Sequence, residues 1–273
     1  VLVMTATPIP RTMTLTVYGD LDVSLIRELP PGRQPIRTFV RRPDRRPLIY
    51  QYVRSQIEAG RQAYVVCPLI EMNEESDLPS AEEVYDELRY GIFRGIPCGL
   101  VHGKLAPAEK ERVMQDFYAD KIKLLVSTTV IEVGVNVPNA SIMVIEHAER
   151  FGLAQLHQLR GRIGRGSYAS YCILVSEGKT ENARERLRIM ATVSDGFKLA
   201  EEDLRLRGPG QFFGSMQHGL PDLKIARVPE DIAILLEAHK AAEATLASQG
   251  DLDFIRPILA LQYKERFQHI MEN

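Results

Sequence analysis

Short runs of apolar and β-branched residues alternate with helix-like segments from Ile36 onward. The predicted strands are, in order, IRTFV, AYVVCPLI, IPCGLVHG, KIKLLVST, SIMVIEHA and YCILV. They are almost continuously hydrophobic, which is typical of strands that are covered on both faces. Repeated strand–helix units of this kind predict an α/β fold with a parallel sheet, right-handed crossovers and helices on both faces. Ligands of such sheets are expected at the carboxyl ends of the strands.

Local helix signals lie between these runs. Ser80 and Glu83 have the spacing of a capping box, and Pro107 stands where a helix would begin. A helix that starts at Pro47 would end at Gly60, because glycine readily adopts the backbone conformation found after helices. These signals place a helix after each of the first three predicted strands.

The pattern becomes mainly helical beyond Thr180. Two helices are predicted on either side of Asp195-Gly196, and a further helix is predicted over residues 229–248. The segment before Ile36 is too short to close a core of its own. The predicted organisation is therefore a linker-like segment, an α/β domain and a helical region, over residues 1–30, 31–178 and 179–273.

The composition bounds the class of protein. The 273 residues are 45% hydrophobic and 26% charged, with a formal net charge of -2, as in soluble globular domains. The sequence lacks the run of about eighteen apolar residues that a membrane span requires. Three widely spaced cysteines without a CxxC pair predict buried free thiols in a reducing compartment, so we expect a cytoplasmic protein. No histidine pair has metal-ligand spacing, and no metal site is predicted.

Charge is segregated along the chain although its sum is small. The stretch RRPDRRP at Arg41–Pro47 holds four arginines, whereas Glu71–Glu87 holds eight acidic residues and no basic one. Binding of a charged partner depends on local charge more than on the total. One face can therefore be basic in a protein whose net charge is nearly zero.

The stretch QLRGRIGRG, residues 158–166, places three arginines among three glycines. Arg162 and Arg165 are three residues apart and share a face if the segment is helical, and glycine lets a phosphate or another backbone approach closely. The arginine guanidinium is a planar fork of donors that matches phosphate oxygens in pairs. A solvated loop is the alternative interpretation, but the spacing favours a polyphosphate site.

Three motifs carry a family resemblance. TATPIPRT (Thr5–Thr12), LVSTTVIEVGVNVPNA (Leu125–Ala140) and QLHQLRGRIGRG (Gln155–Gly166) resemble motifs III, V and VI of superfamily 2 helicases, in the same order. DLRLRGPGQFFGSMQHG (Asp203–Gly219) resembles the translocation motif shared by RecG-type branch-migration helicases and transcription-repair coupling factors. YGDLDVSLIRELPPGR and the RGPG form are more similar to the RecG type. The resemblance implies a RecA-like α/β fold.

The resemblance also implies roles for individual residues. Arg162 and Arg165 would reach the γ-phosphate of ATP across a domain cleft, with Gln158, Gly134 and Asn136 near the nucleotide. Most relatives have Asp where Asn136 stands, so this position would contact the nucleotide without a charge. The residues expected to contact the nucleic-acid backbone are Thr128, Gly103 and Lys104. Those expected to couple hydrolysis to movement are Thr5, Thr7, Arg186, Arg207 and Gln217.

Only half of an ATP site is expected in this sequence. The GKT at Gly178–Thr180 resembles the end of a P-loop, but Ile173 stands where GxxxxGK(S/T) needs its first glycine. The resemblance implies that ATP and Mg²⁺ are held mainly by a first motor domain, and that the sequence is the carboxyl-terminal part of a longer protein with an N-terminal wedge domain.

The implied partner is branched DNA, namely stalled replication forks and Holliday junctions, with no membrane partner. The implied enzyme is an ATP-dependent DNA helicase of which this part alone is inactive. Two alternatives stay open at this point. One is a transcription-repair coupling translocase, and the other is a non-catalytic module that binds nucleic acid or a protein partner.

Overall fold

A computed structural model describes residues 35–69, 79–128, 137–207, 232–247 and 257. The chain divides into two compact units. The larger unit comprises residues 1–11 and 21–216, and the smaller comprises residues 12–20 and 217–273. The predicted segment 1–30 lies outside the described residues, and the boundary at residue 178 stays a prediction.

The larger unit contains one six-stranded sheet. Its strands are Ile36–Arg41 (β1), Gln62–Val66 (β2), Cys98–Val101 (β3), Leu124–Ser127 (β4), Ala140–Ile145 (β5) and Ser170–Val175 (β6). Their order across the sheet is β1-β6-β5-β2-β4-β3, and every neighbouring pair is parallel. Each of the six predicted runs contains all but at most one residue of one of these strands, so the predicted parallel α/β fold is confirmed.

The described α-helices are Arg46–Glu58 (α1), Ala81–Tyr90 (α2), Pro107–Tyr118 (α3), Leu153–Arg160 (α4), Glu181–Thr192 (α5) and Gly196–Arg207 (α6) in the larger unit, and Ile232–Ala247 (α7) in the smaller. The capping box is confirmed: Glu83 N donates to Ser80 Oγ at 3.2 Å, and Ser80 N donates to Glu83 Oε2 at 2.7 Å. The predicted break before α6 is also confirmed, since Asp195 Oδ1 accepts from the backbone N–H of Phe197 at 2.8 Å.

Alternate residues of the strands face two separate apolar clusters. On one face, Tyr64 of β2 and Met143 of β5 are buried with side chains of α3, α4, α5 and α6. On the other face, Val65 and Val144 are buried with side chains of α1 and α2. Full burial of such side chains stabilises the fold by about 1.5–3 kcal/mol each. The sheet therefore has helices on both faces, as predicted for a RecA-like domain.

Parallel strands give the sheet two chemically different edges. We call the carboxyl edge the side where strands end, and the amino edge the side where they begin. Residues that directly follow strands at the carboxyl edge are Arg42, Cys67, His102, Thr128, Glu146 and Ser176. Residues that directly precede strands at the amino edge are Pro35, Arg61, Pro97, Lys123, Asn139 and Ala169.

The three cysteines are free thiols, with Cys67 and Cys172 buried and Cys98 partly buried. Burial raises the pKa of both Cys67 and Cys172 to about 12, and raises that of Cys98 to about 11. The thiolate, which is the reactive form of cysteine, is therefore disfavoured at all three positions. In the part of the chain that the structure describes, no helix is long and apolar enough to cross a membrane.

Candidate functional site

Arg162 and Arg165 lie in the loop between α4 and β6. The helix ends at Arg160, so the condition that would place the two arginines on one helical face is not met. The loop leads into Ser170, the first residue of β6, which places the pair at the amino edge of the sheet. These arginines do not lie at the carboxyl ends of the strands, because the crossover helix α4 has already returned the chain to the opposite edge.

Two glycines let this loop pack closely against the amino edge. Gly164 has a φ of +72°, and a Cβ atom on it would come within 2.8 Å of Ile36 Cγ1 at the start of β1. A Cβ atom on Gly166 would overlap the carbonyl oxygen of Pro138, which shortly precedes β5. Only glycine fits such close approaches without displacing its neighbour. The loop thus presents its arginines from a fixed position.

The two guanidinium groups act on the same buried hydroxyl group. Burial raises the pKa of Tyr64 to about 12, and the positive charges of Arg162 and Arg165 oppose this rise. Arg162 is half-buried, and Arg165 is exposed with its Nε donating to the Gly161 carbonyl at 3.1 Å. That bond uses one of the five N–H groups of Arg165. The structure therefore brings the two predicted catalytic residues together.

Gln158 lies half-buried in α4, four residues before Arg162, and so belongs to the same side of the domain. The other two residues expected near the nucleotide, Gly134 and Asn136, lie outside the described residues. Arg162, Arg165 and Gln158, the described residues that are predicted to lie near the nucleotide, are therefore all on the amino-edge side of the domain.

Arg160, the remaining arginine of the motif, is structural. Its side chain is buried, and Nη1 donates to the carbonyls of Met190 at 2.9 Å and Val193 at 3.0 Å, while Nη2 donates to Ser194 at 3.3 Å. These carbonyls lie at and just beyond the end of α5, where the helix has no N–H groups of its own to satisfy them. Arg160 therefore connects α4 to α5.

The candidate nucleic-acid residues lie at the opposite, carboxyl edge. Gly103 and Lys104 follow β3 and are exposed, and Thr128 follows the neighbouring strand β4. The backbone N–H of Thr128 donates to Val101 O at 3.2 Å, which holds the two strand ends together. Thr128 is buried, and its Oγ1 has no hydrogen-bond partner among the described residues. These three residues form one cluster, which is separate from the arginine pair.

Arg186 is the only predicted coupling residue whose side chain is described. It lies on α5 and is half-buried, and its Nη2 donates to the carbonyl oxygen of Glu149 at 3.2 Å. Glu149 lies in the 3-10 turn Ala148–Arg150 that follows β5. Arg186 thus connects α5 to the carboxyl edge. Arg207 is the last residue of α6 and its side chain lies outside the described part, as do Thr5, Thr7 and Gln217.

Sequence reasoning did not identify a buried ionic cluster at the carboxyl edge. Glu146 directly follows β5, and its carboxylate is only 4% exposed. Arg46 donates to Glu146 Oε2 from Nε at 2.9 Å and from Nη2 at 2.7 Å, and the Tyr50 hydroxyl donates to Oε1 at 2.7 Å. Burial and the nearby negative charge of Glu146 raise the pKa of Tyr50 well above its usual value. An acidic residue directly after a buried strand was the available sequence signal.

Replacing Tyr50 with phenylalanine is expected to lower the free energy of unfolding by about 1–2 kcal/mol, because Glu146 Oε1 loses a buried donor. Urea unfolding of the two proteins measures this difference. Tyr118→Phe, at an exposed position on α3, is the matched control and should leave the stability unchanged. Equal stability of Tyr50→Phe and the parent chain would show that the hydroxyl contributes nothing to the cluster.

Glu149 has a strongly perturbed carboxyl group. Burial alone would raise the pKa of Glu149, but its polar neighbours His147 and Ser176 outweigh this effect and lower the pKa to about 2. His147 Nδ1 lies 3.6 Å from Glu149 Oε1, and His147 has a left-handed backbone with φ of 49°. The segment after β5 is therefore held in place by polar contacts at its side chains and by Arg186 at its backbone.

The shifted pKa of Glu149 makes a pH-dependent contribution to stability. The folded value of about 2 lies below the ordinary 4.5, so ionised Glu149 stabilises the fold above pH 4.5 and this contribution is lost as the pH falls toward 2. Glu149→Gln is expected to be less stable than the parent chain at neutral pH, with a difference that shrinks below pH 4.5. Urea unfolding across this range, with Glu111→Gln on exposed α3 as control, measures the effect. A difference that stays constant with pH would contradict it.

The GKT stretch has an ordinary structural role. Thr180 caps α5, since its Oγ1 accepts from Ala183 N at 3.2 Å, and Lys179 Nζ pairs with Glu177 Oε2 at 2.7 Å. Within the described ranges, no group of three or more His, Cys, Asp or Glu side chains could hold a metal ion. Neither observation provides a phosphate or Mg²⁺ site at this position.

Comparison with known proteins gives two successive matches along the chain. Residues 45–167 match the helicase conserved C-terminal domain, and residues 193–269 match the C-terminal part of domain 3 of the ATP-dependent DNA helicase RecG. The chain is also 51% identical, over 99% of its length, to the ATP-dependent DNA helicase RecG of Synechocystis sp.. Over nearly all of its length, the chain is therefore similar to the RecG-type DNA helicases.

Further RecG proteins show the same similarity. The chain is 52% identical to the ATP-dependent DNA helicase RecG of Bacillus subtilis over 92% of its length. A structure of RecG bound to a three-way DNA junction is 50% identical and superimposes on 84% of this chain with a TM-score of 0.67. The chain spans 32% of the Synechocystis relative, 37% of the Bacillus relative and 30% of the chain in that structure. It is thus similar to about a third of each RecG protein.

Proposed function

We propose that this chain is the second motor domain and translocation region of an ATP-dependent DNA helicase. The proposed substrate is branched DNA, such as stalled forks and Holliday junctions. The proposed location is the cytoplasm, because the relatives described above come from bacteria, whose DNA lies there. The observation that carries the proposal is the separation of two functional sets. Arg162 and Arg165 lie at the amino edge, whereas Thr128, Gly103 and Lys104 lie at the carboxyl edge.

The arginine pair is suited to a transition state of phosphoryl transfer. In this reaction negative charge spreads over the transferred phosphoryl group, and an arginine supplied from outside the nucleotide pocket raises the rate by about 10³- to 10⁵-fold. The loop that contains the two glycines holds Arg162 and Arg165 next to each other at an exposed edge of the domain. In the proposal they act on the γ-phosphate of ATP, and Gln158, Gly134 and Asn136 contribute nearby contacts.

The other half of the ATP site is proposed to come from a first motor domain of the same protein. The sequence contains no P-loop, and Mg²⁺ would be held there and not by the residues of this chain. A wedge domain is the second proposed partner. The length of the RecG relatives, about three times that of this chain, leaves room for both.

The carboxyl edge is suited to a nucleic-acid backbone. Lys104 offers an exposed positive charge, and the exposed Gly103 leaves its backbone accessible, since a Cβ atom there would meet nothing within 4 Å. Contacts of this kind position a protein on DNA without reading its sequence. The unpartnered hydroxyl of Thr128 is proposed to complete the set when DNA is bound.

The helical hairpin α5–α6 is proposed to transmit movement between these parts. Arg160 connects its first helix to α4, next to the arginine loop, and Arg186 connects the same helix to the turn after β5 at the carboxyl edge. Rigid helices with contacts at separate points along their length can transmit a small rotation. Arg207 at the end of α6 and Gln217 beyond it are proposed to pass this rotation to DNA, and Thr5 and Thr7 to connect the hairpin's domain to the first motor domain.

The purified 273-residue chain is expected to hydrolyse no ATP, because its arginines cannot position a nucleophile without the phosphate-binding half of the site. The full-length protein is expected to hydrolyse ATP and to unwind a model fork. Phosphate release and strand separation measure the two activities on one substrate. ATP turnover by the chain alone that is abolished by Arg165→Ala would contradict the half-site, and turnover by the full-length protein without unwinding would favour a coupling-factor translocase.

A further inference from the structure

An aromatic groove of ≈ 660 Å³ lies on the sheet at its β1–β6 side, beneath α1. It belongs to neither of the two sets of residues described above. The groove is lined by Phe39, Arg41, Arg45, Leu48, Tyr52 and Tyr171, together with Ile49 and Ile173. Several of these residues come from the segment that contains RRPDRRP, whose charge the proposed function does not use.

Three aromatic rings form the floor and wall of the groove. Phe39 of β1 and Tyr171 of β6 are stacked, with ring centroids 6.5 Å apart and planes inclined by 19°. Tyr52 of α1 meets Tyr171 edge-on, at 5.8 Å and 89°. Such mutual contacts restrict each ring to one orientation. The groove is therefore a preformed aromatic surface.

This surface stays accessible although it is apolar. Tyr52 is 36% exposed and Leu48 is 56% exposed, while Phe39 and Tyr171 are half-buried. Among the described strands, β1 is the last of the sheet on this side. Exposed apolar patches with a polar rim commonly mark binding sites.

The rim of the groove is positively charged. Arg41, Arg42 and Arg45 are exposed, and the Arg41 guanidinium lies 5.0 Å from the centroid of the Phe39 ring. Asp44 is the acidic residue between them, and it is shared by Arg42 at 3.7 Å and Arg45 at 3.8 Å in exposed pairs that are individually weak. Arg46, the fourth arginine of the stretch, points to Glu146 instead. Two cations of the lining, Arg41 and Arg45, thus adjoin the aromatic rings, with Arg42 and Asp44 next to them in the chain.

We propose that this groove is a second nucleic-acid site, which binds bases of a single strand by stacking while Arg41 and Arg45 contact phosphates. Aromatic platforms inside positively charged grooves bind single strands in this way, because every base has a face that can stack. The proposal relies on the proposed function only for DNA as the ligand. It places a contact at the β1–β6 side of the sheet, apart from Thr128 and Lys104 beyond β3 and β4.

Two fluorescent single strands of equal length test this site: an oligothymidylate of about fifteen nucleotides, long enough to cover one such groove, and an abasic strand with the same number of phosphates. Their binding to the 273-residue chain is followed by anisotropy. Tyr52→Leu keeps an apolar side chain but removes the ring, and is expected to weaken oligothymidylate binding about tenfold while leaving abasic-strand binding unchanged. Tyr118→Leu, an exposed tyrosine on α3, is its matched control and should change neither.

The charge of the rim is tested by the double variant Arg41→Gln/Arg45→Gln. It is expected to weaken the binding of both strands and to reduce the salt dependence of binding, by about 0.7 in logarithmic slope for each phosphate that is no longer neutralised. Arg94→Gln/Arg112→Gln removes the same charge from exposed positions elsewhere and should change binding much less.

Each other outcome has a definite meaning. If Tyr52→Leu leaves oligothymidylate binding unchanged, the groove is not a stacking site and the proposal is wrong. The arginines would then bind phosphates nonspecifically, or the groove would bind a protein. If the groove variants have no effect while Lys104→Gln weakens binding, the proposed function stands without this site. If Lys104→Gln has no effect and Tyr52→Leu does, the groove stands and the proposed carboxyl-edge contact fails.

Discussion

Replacing Arg165 or Arg162 with alanine in the full-length protein is expected to lower ATP turnover by about two orders of magnitude or more. The affinity for ATP is expected to change little. The reason is that a guanidinium supplied across a cleft acts mainly on charge that develops in the transition state, while the first motor domain holds the ground state. Steady-state hydrolysis and equilibrium binding of a fluorescent ATP analogue measure the two quantities.

The structure offers controls for this experiment. Arg112→Ala removes an exposed arginine from α3, far along the sequence from the loop, and should leave both quantities unchanged. Arg165 donates an exposed bond to the Gly161 carbonyl, so its replacement should not unfold the domain. A loss of ATP affinity in proportion to the loss of turnover would show instead that the arginines are ground-state anchors.

Replacing Arg186 with alanine in the full-length protein is expected to reduce fork unwinding about tenfold or more while DNA-stimulated ATP turnover stays within about twofold of the parent value. Arg186 joins α5 to the turn after β5, so its replacement should disconnect the hairpin without disturbing the arginine loop. We expect the same separation for Arg207→Ala and Gln217→Ala. Strand separation and phosphate release are measured on the same fork.

Arg188→Ala is the matched control, since Arg188 lies two residues further along α5 with its side chain 76% exposed. It should retain both activities. Equal losses of unwinding and hydrolysis in Arg186→Ala would mean that Arg186 supports the fold or the ATP site and does not transmit movement.

Features that depend on neighbouring residues could be predicted from the sequence. The six strands, the capping box of Ser80 and Glu83, and the helix break at Asp195 are encoded within a few residues of where they occur, so periodicity and capping rules find them. The order of the strands is different, because it depends on which distant segments pair. The sequence predicted a parallel sheet without determining this order.

The sequence suggested candidate site residues, but it did not indicate their positions in the fold. Arg162 and Arg165 are at the amino edge because α4 has the length that returns the chain there, and no local motif records that. The Arg46–Glu146 pair joins residues 100 positions apart, so its partners could not be matched from the sequence. The burial of Arg160 depends likewise on the Met190 carbonyl, which α5 supplies from 30 residues away.

The two edges of the sheet are expected to perform different functions. The most direct test measures both DNA affinity and ATP turnover at saturating DNA for two variants of the full-length protein, Arg165→Ala and Lys104→Ala. We predict that Arg165→Ala loses turnover and keeps DNA affinity, whereas Lys104→Ala loses DNA affinity and keeps turnover. Loss of DNA affinity in Arg165→Ala together with loss of turnover in Lys104→Ala would contradict the account.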